Sequence, residues 1–413
     1  MNTQSHVNSP GSAYLPLFFL TAIFFMNFTI RISISPLMPT ILTDMGLTKD
    51  QAGSFFLFSA SGYCIALFFS GFVSARIRHR NTIVLSAVGT GIVFIFTGFS
   101  HSLSAMRLGV FLAGAGSGLY LSSGIAVLTA TIDRKNWGKA LGVHEVAPNL
   151  SFLLTPVICE LLLLWVSWRQ VLFVLGGVSI LLGWAFSRFS SIRDFAGEAP
   201  RLASFRPLAA IPSFWWMMLL FSLGVSGTMG VYSMLPLFLV NEHGMVQAQA
   251  NTLVTLSRIA TLPMPLLIGW IADRMGLKPV IATVLMISGV LVVCIGIFSG
   301  PVLMAVIFCQ PVLAVCFFPP AFAALSNIGS TRNRNVAVSF TIPAAFLVGG
   351  GVIPGMIGLL GEKGWFSQGF VVTGVLILTG AVLPWFLKFG KEEEGGCPDR
   401  SGVAARGLSD HDG

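Results

Sequence analysis

Apolar residues run almost without interruption through most of this chain, broken at intervals by short polar stretches that carry nearly all the charge. Windows of about 20 residues with almost no charge recur, which is the length a helix needs to cross a hydrocarbon core of about 30 Å. The pattern predicts twelve such spans, at residues 14–38, 52–75, 82–100, 104–131, 138–164 and 169–188, then 213–239, 248–272, 279–299, 302–327, 336–360 and 366–389. The fold class expected is therefore an all-α membrane protein of twelve transmembrane helices. The first 30 residues hold no Lys or Arg, so the positive segment of a cleavable signal peptide is missing and the first span is expected to be retained.

The polar stretch 190–212, with Arg193, Asp194, Glu198, Arg201 and Arg206, divides the spans six and six. It is expected to be a linker between an N-terminal bundle, 1–189, and a C-terminal bundle, 213–389. The tail 390–413 opens GKEEEGG, offers no apolar face, and is expected to be disordered.

Composition agrees with the pattern: 54% of the 413 residues are hydrophobic and 10% charged, against about 25% charged in an ordinary soluble protein. The basic residues are distributed unevenly between alternate loops. One side collects Arg76, Arg78, Arg80, Arg134, Lys135, Lys139, Arg188, Arg193, Arg201, Arg206, Arg274, Lys278, Arg332, Arg334, Lys388, Lys391, Arg400 and Arg406. The other has only Lys49, Arg107, Arg169 and Lys363. Basic loops stay in the cytoplasm, so both termini are expected there, in a multi-pass protein of the cell (inner) membrane. The net charge of +8 is mostly this topology signal and gives no reason to expect nucleic acid as a partner. The six cysteines lack metal-ligand spacing, and neither a metal nor a cofactor is expected.

Comparing the halves reveals a repeat. GFVSARIRHR from Gly71 and GWIADRMGLK from Gly269 hold the same place after the second span of each half, offset by 198, and the same offset carries Pro156 onto Pro354. Gly269, Asp273, Arg274, Gly276 and Lys278 fit a G-x-x-x-D-R-x-G-[RK] loop, and with twelve spans in two sixes the chain resembles the major facilitator superfamily. That resemblance implies two bundles related by a pseudo-twofold axis and rocking around a central site. It also implies a cytoplasmic latch at Gly269, Asp273, Arg274 and Gly276, with Gly71, Arg76 and Arg80 in the first copy. Ala75 and Arg78 depart from the signature there, replacing its acid and its second glycine.

Ionisable residues inside a span are rare unless they face a cavity or a partner, which singles out Arg31, His144, Glu145, Arg258 and, near the far end of the fifth span, Glu160. Helical spacing puts Asn27, Arg31 and Ser35 on one face, and Asn251, Thr255 and Arg258 on another. The first helix is similar to that of the anion:cation symporter group, although Ile30 stands where that group has an acid. A guanidinium is always charged and matches carboxylate, sulfonate or phosphate oxygens in a planar fork, so Arg31 and Arg258, one per half, are candidate anion ligands. The alternative is that one of them pairs permanently with Glu145. On the fifth span Glu145, Asn149, Phe152 and Pro156 share one face, and His144, Pro148, Ser151 and Thr155 the next. Glu145 and His144 are the candidate proton-coupling pair. Asn27, Tyr120, Tyr232, Asn149 and Gln310 are further candidate substrate ligands.

The reading is a secondary active transporter, not an enzyme, moving a small organic anion with proton symport and acting as a monomer. Two alternatives stand beside it: an exporter of drugs or metabolites by proton antiport, although APNLS at 147–151 departs from the G-P-x-x-G element of such exporters, and a sensor or assembly protein on the same scaffold.

Overall fold

The computed structural model describes residues 11–133, 136–190, 192, 194–197, 208–328 and 334–388, and among these every regular element is helical. The expectations for most of the 190–212 linker and for the 390–413 tail fall outside the described residues.

The first span is a single helix, Gly11–Met45. Lys49–Gly98 is one helical run of 50 residues that holds the second and third spans, broken at Arg78. The fourth consists of Leu103–Gly118 and Tyr120–Thr131, the fifth of Trp137–Leu163 and the sixth of Trp168–Phe189. In the second half the seventh span runs Pro212–Val225 and Val231–His243, joined by a π-helical segment, Ser226–Gly230. The eighth is a pair, Gln247–Ile259 and Met264–Met275, bent by 43°. The ninth is Leu277–Ile297 and the tenth Gly300–Val315 with Phe318–Ser326. The eleventh, Arg334–Leu347 and Ile353–Glu362, carries a second π segment, Val348–Val352, and the twelfth is Phe366–Gly380. Ten of these units are long and apolar enough to cross a membrane singly, and the bent pair makes eleven. Because Lys49–Gly98 supplies two crossings, the total of twelve agrees with the hydropathy pattern.

The repeat appears in the backbone. Arg78 adopts φ 67° and ψ 161°, and Gly276, its counterpart under the 198 offset, adopts φ 86° and ψ 155°. This region of backbone space belongs almost entirely to glycine, so the first half holds the turn with an arginine where the second uses the residue suited to it. Neighbouring contacts brace it: the Arg78 guanidinium meets Asp194 at 3.3 Å, the His79 amide donates to the Phe195 carbonyl at 3.1 Å, and the Gly197 amide donates to the Ser74 carbonyl at 3.0 Å.

Lipid supplies no hydrophobic drive between helices, so close approach must hold them together. A Cβ on Gly114 would stand 2.1 Å from the Ser59 carbonyl oxygen, and one on Gly349 2.5 Å from the Ser226 amide nitrogen. The glycine runs GAGSG and GGG thus serve helix packing.

Hydrogen bonds that join the two halves cluster toward the Met45–Lys49 end. Asn251 and Gln247 both donate to Glu160 Oε1, at 2.5 and 3.3 Å, and to the Pro36 carbonyl, at 3.0 and 3.1 Å. Thr40 donates to Gln247 at 2.7 Å, and Lys49 pairs with Glu242 at 3.1 Å. Toward the opposite end, where Arg78 and Gly276 turn the chain, Asp273 and Arg76 are exposed, and Asp273 has no ion pair among the described residues. Arg274 stacks on Trp270 at 3.9 Å, within its own half, while Arg80 donates to the Ser187 carbonyl at 2.6 Å. Gly71 and Gly269 lie inside their helices, before these turns.

Candidate functional site

Arg31 sits a little past the middle of the helix Gly11–Met45, between Ile30 and Ile32, both buried. Its own side chain is 4% exposed. The guanidinium carbon lies 3.8 Å from the Tyr63 ring centre, 5.4 Å from Phe28 and 5.1 Å from Phe346. Tyr63 belongs to the second span and Phe346 to the eleventh, so this cation bridges the seam between halves.

Arg258 repeats the arrangement with the helices exchanged. It is 6% exposed, with Phe152 of the fifth span at 4.9 Å and Tyr232 of the seventh at 5.1 Å. In one half the arginine is on the first helix and its tyrosine on the second; in the other the tyrosine is on the first helix and the arginine on the second. Each arginine also meets a phenylalanine of the opposite half. Arg258 stands in the last turn of Gln247–Ile259, just before the bend at 260–263. There the negative end of the helix dipole favours a cation, and Pro263 removes a donor that would have continued the helix. Its Nη2 donates to the Thr228 carbonyl at 3.3 Å, and Gln310 Nε2 donates to the Gly227 carbonyl at 2.6 Å. Both acceptors lie in the π segment, Ser226–Gly230, a form of helix found frequently at functional sites.

Rings packed edge to face join the two cations. Phe28 and Phe152 meet edge to face at 5.8 Å, Phe152 and Tyr232 at 4.9 Å, and Phe28 and Phe346 at 6.3 Å. Neither arginine pairs with a carboxylate among the described residues. The expected alternative, that one of the arginines pairs permanently with Glu145, is not the arrangement among the described residues: Glu145 turns to His144, and Glu160 is held by Asn251 and Gln247. Arg31 Nε and Nη2, Arg258 Nε, the Tyr232 hydroxyl and the Thr255 hydroxyl are all buried without a hydrogen-bond partner. A desolvated polar group without a partner is costly, and a charged one more so.

The stripe Asn27, Arg31 and Ser35 divides on folding. Asn27 Nδ2 donates to Ser86 Oγ at 3.1 Å, inside the N-terminal bundle, while Ser35 reaches across the seam to the Tyr232 carbonyl at 2.9 Å. Gln310 binds within the C-terminal bundle. On the fifth span, the face with Ser151 and Thr155 packs on the first span, through the Phe25 carbonyl at 3.0 Å and Thr29 at 3.3 Å. The other face presents Glu145, Asn149 and Phe152 toward the seam, and Asn149 Nδ2 donates to its own helix at the Glu145 carbonyl.

His144 is fully buried, with Phe24 stacked on it at 4.4 Å. The Tyr120 hydroxyl donates to the Leu20 carbonyl at 2.6 Å, so its oxygen can only accept from His144 Nε2 at 3.0 Å. That fixes a proton on Nε2. The contact between His144 Nδ1 and Glu145 Oε1, at 3.3 Å, then closes with one proton between them, carried either by the ring or by the carboxyl. The Glu145 side chain is 58% exposed, whereas the histidine is fully enclosed. Tyr120 thus serves the histidine and stands away from the arginines.

The pattern of the sequence offered the two arginines, Tyr232 and the His–Glu pair. Tyr63 and Phe346 escaped it, because an aromatic in an apolar span carries no periodic signal; Phe28, three residues before Arg31, and Phe152, seven after Glu145, share a face with a marked residue. Among the described residues no group of His, Cys, Asp or Glu could hold a metal.

A family model described as Major Facilitator Superfamily matches residues 17–248 and 227–409. Three curated relatives align with the chain. A probable sulfoacetate transporter of Cupriavidus necator is 23% identical over 44% of this chain and 42% of its own length. The human voltage-gated purine nucleotide uniporter is 25% identical over 40% and 39%. A probable 4-methylmuconolactone transporter of Cupriavidus pinatubonensis is 23% identical over 83% and 85%. The chain therefore aligns with less than half the length of the first two. Among solved structures, a bacterial homologue of the human lysosomal transporter Spinster, inward-facing and occupied, matches with a TM-score of 0.76, at 16% identity and covering 92% of this chain and 97% of that one. The unoccupied form of that homologue matches with a TM-score of 0.75 at 17% identity, covering 92% and 98%.

Proposed function

This chain belongs to the major facilitator superfamily, and on that premise we propose that it is a secondary active transporter of a small organic anion, coupled to protons by symport. The observation that carries the reading is the pair of buried guanidiniums at the seam, one from each half, neither paired with a carboxylate among the described residues. A permanent structural arginine would be expected to keep a permanent counter-ion, since an unpaired buried charge costs several kcal/mol. An arginine that must release its partner in each cycle has reason to lack one. Two of the relatives are named for small organic acids, sulfoacetate and 4-methylmuconolactone, which supports the same class of substrate.

An anion held between Arg31 and Arg258 draws on both bundles at once and so favours the arrangement in which both reach it. The His144–Glu145 pair supplies the coupling. Carrying its shared proton, it is neutral; without it, it bears one negative charge. Glu145 lies seven residues from Phe152, about 10 Å along the helix, on the face that meets Arg258. Loss of the proton therefore sets a negative charge near the site and disfavours the substrate anion. By linkage the anion must equally favour proton binding, which is the sign that symport requires. If the basic-residue asymmetry puts the Arg78 end in the cytoplasm, the hydrogen bonds at the Lys49 end close the outer side. One chain contains both halves of the site, consistent with a monomer.

The test is uptake into proteoliposomes. An inward proton gradient should drive accumulation of small carboxylates or sulfonates above equilibrium, collapse of the gradient should abolish it, and Arg31→Ala or Arg258→Ala should remove it. Uptake unaffected by the gradient would exclude coupling, and uptake unaffected by both substitutions would exclude the site.

A further inference from the structure

We infer that the preferred substrate is a diacid whose two acidic groups are held apart by a flat, apolar body. The inference rests on the reading of Arg31 and Arg258 as anion ligands and goes further, to what must lie between the acids. Both guanidiniums lie over aromatic rings: Tyr63, Phe28 and Phe346 for Arg31, and Phe152 and Tyr232 for Arg258. Donors without a partner among the described residues remain on each, Nε and Nη2 of Arg31 and Nε of Arg258, whose Nη2 is held by the Thr228 carbonyl. A carboxylate can take them in the plane of the guanidinium.

Charge balance fixes the number of acidic groups. A monoacid would compensate one guanidinium and leave the other desolvated and unpaired, since Glu160 is engaged by Asn251 and Gln247 and Glu145 by His144. A compact dianion such as sulfate carries enough charge, but the two cations sit in separate ring cages that meet where Phe28 and Phe152 pack edge to face, their ring centres 5.8 Å apart. It could satisfy one cage at most. The spacer between the acids must therefore lie against the Phe28, Phe152 and Phe346 rings, where an apolar and flat body gains contact and a polar chain loses its hydration. At the Arg258 end, the buried and unpartnered hydroxyls of Tyr232 and Thr255 offer further donors to the second acidic group.

The test uses purified full-length protein in detergent and four probes: terephthalate, benzoate, succinate and sulfate, each titrated by calorimetry with the thermal shift as a second readout. Terephthalate is expected to bind at least about tenfold more tightly than benzoate or succinate, and sulfate to give no saturable signal. Arg31→Lys and Arg258→Lys should each bring terephthalate down to the level of benzoate, because an ammonium cannot offer the fork. Phe28→Leu and Phe152→Leu, which keep the charges, should narrow the gap between terephthalate and succinate. If benzoate binds as tightly as terephthalate while Arg258→Ala still abolishes binding, the diacid inference is overturned and the anion site stands. Sulfate binding as tightly as terephthalate overturns the spacer. If no carboxylate binds, or the arginine variants bind as the parent does, the anion reading itself fails.

Discussion

A guanidinium laid against an aromatic face keeps its charge and gains cation–π attraction, worth up to about 2 kcal/mol when desolvated, which is less than an unpaired buried charge costs. Arg31 and Arg258 are in this position, and their chemistry follows from it. Lysine preserves the charge but not the fork, so Arg258→Lys is expected to raise the KM for substrate on the order of 10²-fold, in line with the 2–5 kcal/mol lost when a buried charged pair is broken, while the melting temperature changes little. Initial-rate uptake and thermal unfolding of the same preparation check both parts. The His144–Glu145 pair predicts a signed pH dependence. The protonated pair is neutral and permits anion binding, so apparent affinity should be higher at low pH than at high pH. Glu145→Gln removes the negative state and should leave affinity high and independent of pH, with gradient-driven accumulation lost. Substrate affinity measured across pH 5 to 9 decides this; an unchanged pH profile in Glu145→Gln would place the coupling proton elsewhere.

Among the elements, the two turns at Arg78 and Gly276 form a natural experiment. Each needs φ near 67° to 86°, and only one has glycine. Holding a non-glycine residue there costs on the order of 1–3 kcal/mol, whereas the exposed Arg78–Asp194 pair contributes at most about 1 kcal/mol. Arg78→Gly is therefore expected to raise the melting temperature; a fall would show that the contacts of Asp194 outweigh the strain. Gly349→Ala should act in the opposite direction, because its Cβ meets backbone at 2.5 Å from the Ser226 amide nitrogen, and a loss of about 1–3 kcal/mol is the usual cost of such overpacking. The spans and the repeat were legible in the sequence because length and apolar content are imposed by the bilayer and act locally. The π segments, the break at 260–263 and the division of the Asn27–Arg31–Ser35 stripe were not. Helical spacing states which residues share a face, but which neighbour that face meets depends on packing between spans distant in sequence. Asn27 found Ser86 in the third span, and Arg31 found Tyr63 and Phe346 in the second and eleventh.

For the whole molecule, the same helix faces carry both the closure and the site. On the eighth span Gln247 and Asn251 hold Glu160 and the Pro36 carbonyl, and Arg258 follows two turns later. Opening at the Lys49 end must therefore break the Glu160 cluster and shift Arg258 relative to Phe152 in one movement. Cysteines placed at Thr40 and Gln247, whose side chains meet at 2.7 Å, should cross-link readily at rest, and locking them should abolish transport while leaving binding from the other side intact. The account rests on one claim, that an anion passes between the two arginines, and counterflow tests it with no dependence on the coupling ion. Proteoliposomes preloaded with unlabelled terephthalate or benzoate would be diluted into the corresponding labelled acid, for the parent and for Arg31→Ala and Arg258→Ala. The account predicts a transient overshoot of label in the parent and none in either variant, with both variants melting as the parent does. An undiminished overshoot in either variant would contradict it.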